Sequence, residues 1–210
     1  MSVTTPAPAQ AGPSDVGTRD GVPVGRAGAW SILIAGIIGL VSSATLLIEK
    51  IETLKNPDYV PTCSINPVLA CGSVINTPQA SIFGPPNPTF GIVAFTVVIV
   101  TGVLAIAKVP LPRWYWVGLT VGTGLGVVFV HWLVYSSLYD IGALCPYCMV
   151  VWSVTIPLFA VVAPIALRPL AGNPVAGALY NWRWPLVTLW FTTIALLILV
   201  RFWDYWSTLI

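Results

Sequence analysis

Charge is scarce in this sequence. Asp, Glu, Lys and Arg together make up 8% of its 210 residues, where a soluble domain carries roughly a quarter. So little charge cannot clothe a surface in contact with water, which excludes an independent soluble domain. Nine Lys and Arg against seven Asp and Glu leave a net charge of +2, spread along the chain. Nucleic acid and acidic surfaces therefore drop out as partners. No internal repeat is evident. Histidine occurs once, as His131, and cysteine only four times.

Hydrophobic residues, at 57%, take the place of the missing charge. A membrane helix takes about 20 apolar residues. Five runs of that kind, 30–48, 90–107, 114–138, 144–167 and 184–201, predict an all-α integral membrane protein. Residues 1–28, rich in Pro, Gly, Ala, Ser and Thr, read as a disordered cytoplasmic tail, residues 29–204 as the transmembrane domain, and 205–210 as a short outer tail. The sizeable loop is 49–89, with Glu49, Lys50, Glu52, Lys55, Asp58 and many prolines. The stretch from Arg168 to Arg183 reads as a linker.

Lys and Arg close to the spans stay on the cytoplasmic side. With the N-terminal tail inside, that side holds Arg19, Arg26, Lys108, Arg113, Arg168 and Arg183, while the outside holds Lys50, Lys55 and Arg201. Loop 49–89 then lies outside. Trp30, Trp114, Trp116, Trp182, Trp184, Trp203 and Trp206 fall at the expected span ends, where amphipathic rings settle among headgroups.

The same orientation puts all four cysteines on the oxidising face. Cys63 and Cys71 lie in the loop, and Cys145 and Cys148 form Cys-Pro-Tyr-Cys at the outer mouth of the fourth span. C-x-x-C is the spacing of thiol redox centres. At a helix start, free backbone N–H groups and the positive end of the helix dipole stabilise a thiolate, the nucleophile of disulfide exchange, against a usual pKa of about 8.5. Pro146 suits the first helical turn. A single helix from Cys63 to Cys71 would hold their sulfurs about 12 Å apart, beyond disulfide reach, so a break is expected between them. Asn66 and Pro67 supply one, as N-cap and first helical residue. They predict a short apolar helix over PVLACGSVI that carries Cys71, lies flat over the bundle and comes near Cys145. A structural zinc site, to which the spacing is a loose match, and two inert disulfides bracing the loop are the competing uses of these cysteines.

CSINPVLAC in the loop, NPTFG at the second span, LYD before the fourth and CPYC at its mouth occur together, in this order and on one side. In these motifs, and over most of residues 30 to 170, the chain resembles the vitamin K epoxide reductase family, specifically bacterial members that generate protein disulfides. The resemblance implies a four-helix bundle around a quinone, menaquinone or ubiquinone, with a peripheral fifth helix and a short extracytoplasmic cap helix. It places the protein in the lipid bilayer of a bacterial cytoplasmic (inner) membrane. Cys63 would exchange with a thioredoxin-fold partner, Cys71 would relay to Cys145, and Cys148 would face the quinone. No metal is expected.

Thr77 and Asn87 match, in kind, a hydroxyl and an amide that the family places near the quinone. Trp152 stands where vertebrate enzymes carry Tyr and retains one hydrogen-bond donor. His131 joins the candidate quinone contacts because an ionisable residue within a span usually faces the bundle interior or water, the alternative being a neutral His hydrogen-bonded within the bundle. Asp140, beside CPYC, is a further candidate for tuning the thiols. Since the chain ends soon after the fifth span, the partner is expected as a separate DsbA-like protein. The expected reaction reoxidises that partner and passes two electrons through the cysteines to the quinone, supporting disulfide formation in exported proteins. Two alternatives stand beside it. One is quinone epoxide reduction of the vitamin K cycle type, which uses the same relay. The other is a disulfide-braced scaffold or transport protein, against which the near absence of charge within the spans argues. The small-residue stripe Gly118, Gly122 and Gly126 suits either dimerisation or close packing inside the bundle.

Overall fold

The structure, a computed structural model, describes residues 21–168 and 173–208. The expected tails therefore fall partly outside the described residues, at 1–20 and 209–210. In chain order the elements are α1 (Arg26–Lys55), α2 (Cys71–Ile75), α3 (Asn87–Ile106), α4 (Arg113–Tyr135), α5 (Pro146–Ala166), α6 (Pro174–Arg201) and α7 (Trp203–Trp206). A 3-10 turn, Pro78–Ser81, precedes α3, and a π-helical turn, Ser136–Ile141, extends α4. Among the described residues, five helices are long and apolar enough to cross a membrane, α1, α3, α4 with its π-helical extension, α5 and α6. The fold is that of an all-α, multi-pass integral membrane protein.

Local chemistry explains the helix starts. Proline stands in the first turn of both α3 and α5, where its missing N–H costs nothing. Inside the spans hydroxyls are returned to the helix's own carbonyls, as Thr45 does to Val41 (2.9 Å) and Thr155 to Val151 (2.7 Å), so these polar groups are satisfied within the helix. Gly142, with φ +68°, ends the π-helical turn in the left-handed conformation and lets the chain reverse toward α5.

α1 packs along α3 and α5, α5 packs on α4, and α6 leans on α5 from outside, which makes it the peripheral helix. Glycine sets the α1–α3 distance. A Cβ on Gly102 would come within 2.7 Å of the Leu33 backbone, and one on Gly36 within 2.8 Å of the Ile99 side chain. The stripe on α4 behaves differently: Gly118 and Gly122 have nothing within 4 Å, and only Gly126 meets the bundle, 3.5 Å from Thr155. It does not serve close packing along its length.

One core cluster, with Ile32, Val98, Leu111, Trp116, Leu158, Val162 and Ile165, closes the end of the bundle remote from the cysteines. Trp116 was expected as an interfacial anchor. It is instead 1% exposed, because the first turn of α4 turns its ring inward among these side chains. A second cluster joins α4, α5 and the end of α6 around Val130, Leu138, Leu144, Trp152 and Phe202. The third surrounds three of the four cysteines. Between the tail and α1 the chain is also held: Val22 N–H donates to Leu111 O (3.1 Å), so residues just after Gly21 are paired with the α3–α4 turn.

Three segments depart from the sequence reading, the first being α1, which begins at Arg26 inside the expected tail and runs on through Lys55 into the expected outer loop. α6 starts at Pro174, inside the stretch taken as a linker, since proline suits a first helical position and Arg183 supports the early turns by covering the Tyr180 ring at 3.9 Å. The helix carrying Cys71 is shorter than PVLACGSVI and begins at Cys71 itself. Asn66 does cap, but it caps a turn: its Oδ1 accepts from Val68 N–H (3.0 Å) and Leu69 N–H (2.7 Å). The following residues are drawn into extended pairing with the chain before α5, with Leu144 N–H donating to Val68 O (2.7 Å) and Ala70 N–H to Leu144 O (2.9 Å). Those carbonyls and amides are no longer free for a helix.

Candidate thiol redox site

The pairing of Val68 to Ala70 with Leu144 brings two distant parts of the sequence side by side, one residue short of a cysteine in each. Cys71 follows at the start of α2, and Cys145 follows as the N-cap of α5. Their sulfurs lie 3.1 Å apart. Cys71 is at the same time bonded to Cys63 in a disulfide, with Cα atoms 5.5 Å apart. The break expected between Cys63 and Cys71 is thus present, as the Asn66 turn. Three sulfurs lie within 4.8 Å of one another, and all three residues are buried.

This donor set suits exchange better than metal binding. Two of the three sulfurs are spent on each other, whereas a metal takes separate thiolates. A thiol in contact with a disulfide is the arrangement from which exchange proceeds, by attack of a thiolate on one sulfur and departure of the other. Cys145 and Cys148 are both unbonded thiols. Hydrogen bonding from the Cys148 side chain, joined by the backbone N–H groups of Cys148 and Tyr147, holds the Cys145 thiol below its ordinary range, against burial and the nearby Glu49 charge, which raise it. Cys145 is therefore the better nucleophile of the pair, and it is the one that touches Cys71.

Cys148 lies in the first turn of α5 and packs against both the cysteine cluster and the cluster that contains Trp152. Trp152 is 2% exposed, and its Nε1–H has no acceptor. It lines a mostly apolar groove of about 140 Å³ between α5 and α6, with Met149, Trp190, Phe191, Ile194 and Ile198 among the walls. A buried, unanswered N–H one turn along α5 from a redox thiol offers a donor to a quinone carbonyl, while the groove beside it, at about 140 Å³, has room for only part of a quinone's apolar body.

The remaining candidates are placed as follows. Thr77 donates its hydroxyl to Val74 O (2.8 Å). Asn87 donates its amide to Gln79 O (2.7 Å), binding the 3-10 turn to the start of α3, and its Oδ1 is buried without a partner. His131 shares its Nδ1 proton with Val127 O (2.8 Å) and accepts at Nε2 from Trp190 Nε1–H (2.9 Å). It therefore faces α6 and is tied to a wall of the groove. Asp140 lies exposed in the π-helical turn.

Three participants escaped the sequence reading. Leu144 carries the backbone pairing that aligns the cysteines, and nothing in its residue type reveals this. Trp190 is 59 positions from the histidine it binds. Glu49, taken as one loop charge among several, is a buried hub on α1. It accepts from Tyr59 Oη (3.0 Å) and Thr62 N–H (3.3 Å) at Oε2, and from the Thr62 hydroxyl at Oε1. The one hint was its place directly after the first apolar run.

A bundle of spanning helices with a buried disulfide, a third sulfur in contact with it and a C-x-x-C helix start defines a membrane oxidoreductase of the thiol–disulfide class. The family model described as "Vitamin K epoxide reductase family" matches residues 30–163, well over half the chain, and the chain belongs to that family. No curated protein matches it. Membership brings quinone-linked disulfide chemistry in the membrane and, generally, a thioredoxin-like partner.

Proposed function

We propose that this protein is a thiol:quinone oxidoreductase that reoxidises a DsbA-like thioredoxin-fold partner at the outer face of a bacterial cytoplasmic membrane, and so supports disulfide formation in exported proteins. The observation that carries the reading is the 3.1 Å contact of Cys145 with the Cys63–Cys71 disulfide. The distribution of Lys and Arg supports the outer placement, with Arg19, Arg26, Lys108, Arg113, Arg168 and Arg183 on the side opposite the cysteines and Lys50, Lys55 and Arg201 on theirs.

The partner's thiolate attacks Cys63 Sγ, forming a mixed disulfide and releasing Cys71 as thiolate. The partner's second thiol displaces Cys63, so the partner leaves oxidised and Cys63 and Cys71 remain as thiols. Cys71 then attacks Cys145 of an oxidised Cys145–Cys148 pair and releases Cys148. Cys63 attacks Cys71, reforms the loop disulfide and releases Cys145. Two electrons have passed inward, and the state reached is the one observed, with the loop pair oxidised and the C-x-x-C pair reduced. A bound quinone supplies the two-electron, two-proton acceptor that returns Cys145 and Cys148 to a disulfide. Trp152 would hold it through its free indole N–H and His131 would act through Trp190, whereas Asn87 and Thr77 are not among the walls of the groove between α5 and α6.

The test is quinone absorbance followed with the purified protein, a reduced thioredoxin-fold donor and a soluble quinone. Activity is expected to fall to background when Cys63, Cys71, Cys145 or Cys148 is changed singly to Ser. Full activity without Cys63 and Cys71 would make the loop pair structural and sink the relay.

A further inference from the structure

The sulfur that a partner must reach is shut in. Cys63 is 5% exposed, and Cys71 already has Cys145 against it at 3.1 Å. A protein thiol reaches Cys63 only if the chain around it moves. Apart from one shared tie, Gly72 N–H to Ser64 Oγ (3.3 Å), the two loop cysteines are held by different means. Cys71 is fixed from both sides: Lys50 Nζ binds the far end of α2 at Ile75 O (2.8 Å) and Asn76 Oδ1 (3.3 Å), and the pairing with Leu144 fixes the near end. Segment 59–62, which leads into Cys63, has polar ties to α1 that all converge on Glu49 through Tyr59 and Thr62.

Glu49 is unusual ground for an anchor. It is 4% exposed on a membrane helix, and the ion pair formed among the described residues, Lys55 with Glu52, does not include it. A buried carboxylate without a cation is costly unless hydrogen-bond donors satisfy it. Here Tyr59 and Thr62 supply the donors. Segment and carboxylate thus stabilise each other, and opening the segment strips Glu49 of its partners while leaving Cys71, separately tied, beside Cys145.

We propose that Glu49 is a positioning residue of the relay, a latch on α1 that holds segment 59–62 and Cys63 against the bundle and yields to admit the partner's thiol. The latch rests on the reading that Cys63 is the cysteine a partner meets. It gives the relay one movable and one fixed cysteine: Cys63 swings to the donor and Cys71 stays in register with Cys145.

Dithiothreitol can stand in for the partner. One of its thiolates attacks Cys63 Sγ and expels Cys71, its second thiol closes on the first to form the cyclic disulfide, and Cys63 leaves as the other thiol. The measurement is the rate at which dithiothreitol reduces the loop disulfide of the full-length protein in micelles, counted by maleimide labelling of released thiols. Glu49→Gln is expected to raise that rate about tenfold or more, the scale of losing a hydrogen bond to a charged acceptor. Tyr59→Phe and Thr62→Val, which leave Glu49 in place, give smaller increases, and Glu49→Asp, which keeps the charge, brings the rate back toward that of the unaltered protein. In Tyr59→Phe and Thr62→Val, which keep the Glu49 charge that acts on Cys145, exchange between Cys71 and Cys145, read separately as a cross-link in a Cys148→Ser background, stays unchanged. Unchanged reduction rates in Glu49→Gln and Tyr59→Phe, or an equal change in both steps, would overturn the latch. Should Glu49→Gln fail to fold, the Tyr59 and Thr62 variants decide the matter. No quinone is present, so failure of the thiol:quinone reading shows only in the separate quinone assay.

Discussion

The two ends of the bundle are held together by different forces. At the end remote from the cysteines, Ile32, Val98, Trp116, Leu158 and Val162 interlock with few polar ties, and Gly36 and Gly102 bring α1 and α3 into near backbone contact. At the cysteine end the contacts are a disulfide, a backbone pairing through Leu144, a lysine on the end of α2 and a buried carboxylate with three donors. Apolar packing has no single bond whose opening changes the state. Polar and covalent ties can be opened one at a time, which is what a relay of exchanging sulfurs needs.

Breaking the apolar end should therefore cost stability and leave the chemistry intact. Ile32→Ala, at a fully buried position, is expected to destabilise by about 2–4 kcal/mol, from lost contacts and the cavity left behind. Thermal unfolding in micelles measures the loss, while turnover per folded molecule stays constant. Gly102→Val acts in the same direction, since its side chain would meet the Leu33 backbone.

A smaller change at the other end should do the reverse. The Cys145 thiol is held low first by hydrogen bonding from Cys148. A lowered pKa keeps the thiolate populated to lower pH, so exchange at Cys145 slows only as pH falls through that depressed value. In Cys148→Ala the fall is expected to shift to higher pH, with slower exchange at neutral pH. In Cys148→Ser, whose hydroxyl can still donate, the profile stays nearer that of the native pair. Iodoacetamide capture of the released Cys63 across a pH series reads the rate. Unfolding temperature should hardly move in either variant.

How much of this was legible beforehand follows the same division. The spans announce themselves because lipid demands long apolar runs, and Pro146 with the C-x-x-C marks the start of α5. The break before Cys71 was also legible, from Asn66 and Pro67. Its outcome was not: a local cap signal predicts a helix, and only pairing with Leu144, far along the chain, turns the residues after Asn66 into extended backbone. Trp116 shows the matching limit for aromatics, since position at a span end does not tell whether a ring faces headgroups or core. Glu49 shows it for charge. Loop composition counts acids without saying which of them the fold buries, and burial is what makes Glu49 a hub while Glu52, on the same helix, forms an exposed pair with Lys55.

The central claim is that Cys145 and the Cys63–Cys71 disulfide are an exchanging pair. It is tested most directly in Cys148→Ser protein, where no second thiol can resolve the product. Cys145 attacks Cys71, a Cys71–Cys145 disulfide forms, Cys63 is left as a thiol, and iodoacetamide makes the step irreversible by capping Cys63. Peptide mass spectrometry of the quenched protein should find Cys71 linked to Cys145 and Cys63 carrying the label. A loop disulfide still joining Cys63 to Cys71, with Cys145 a free thiol after prolonged incubation, would contradict the account.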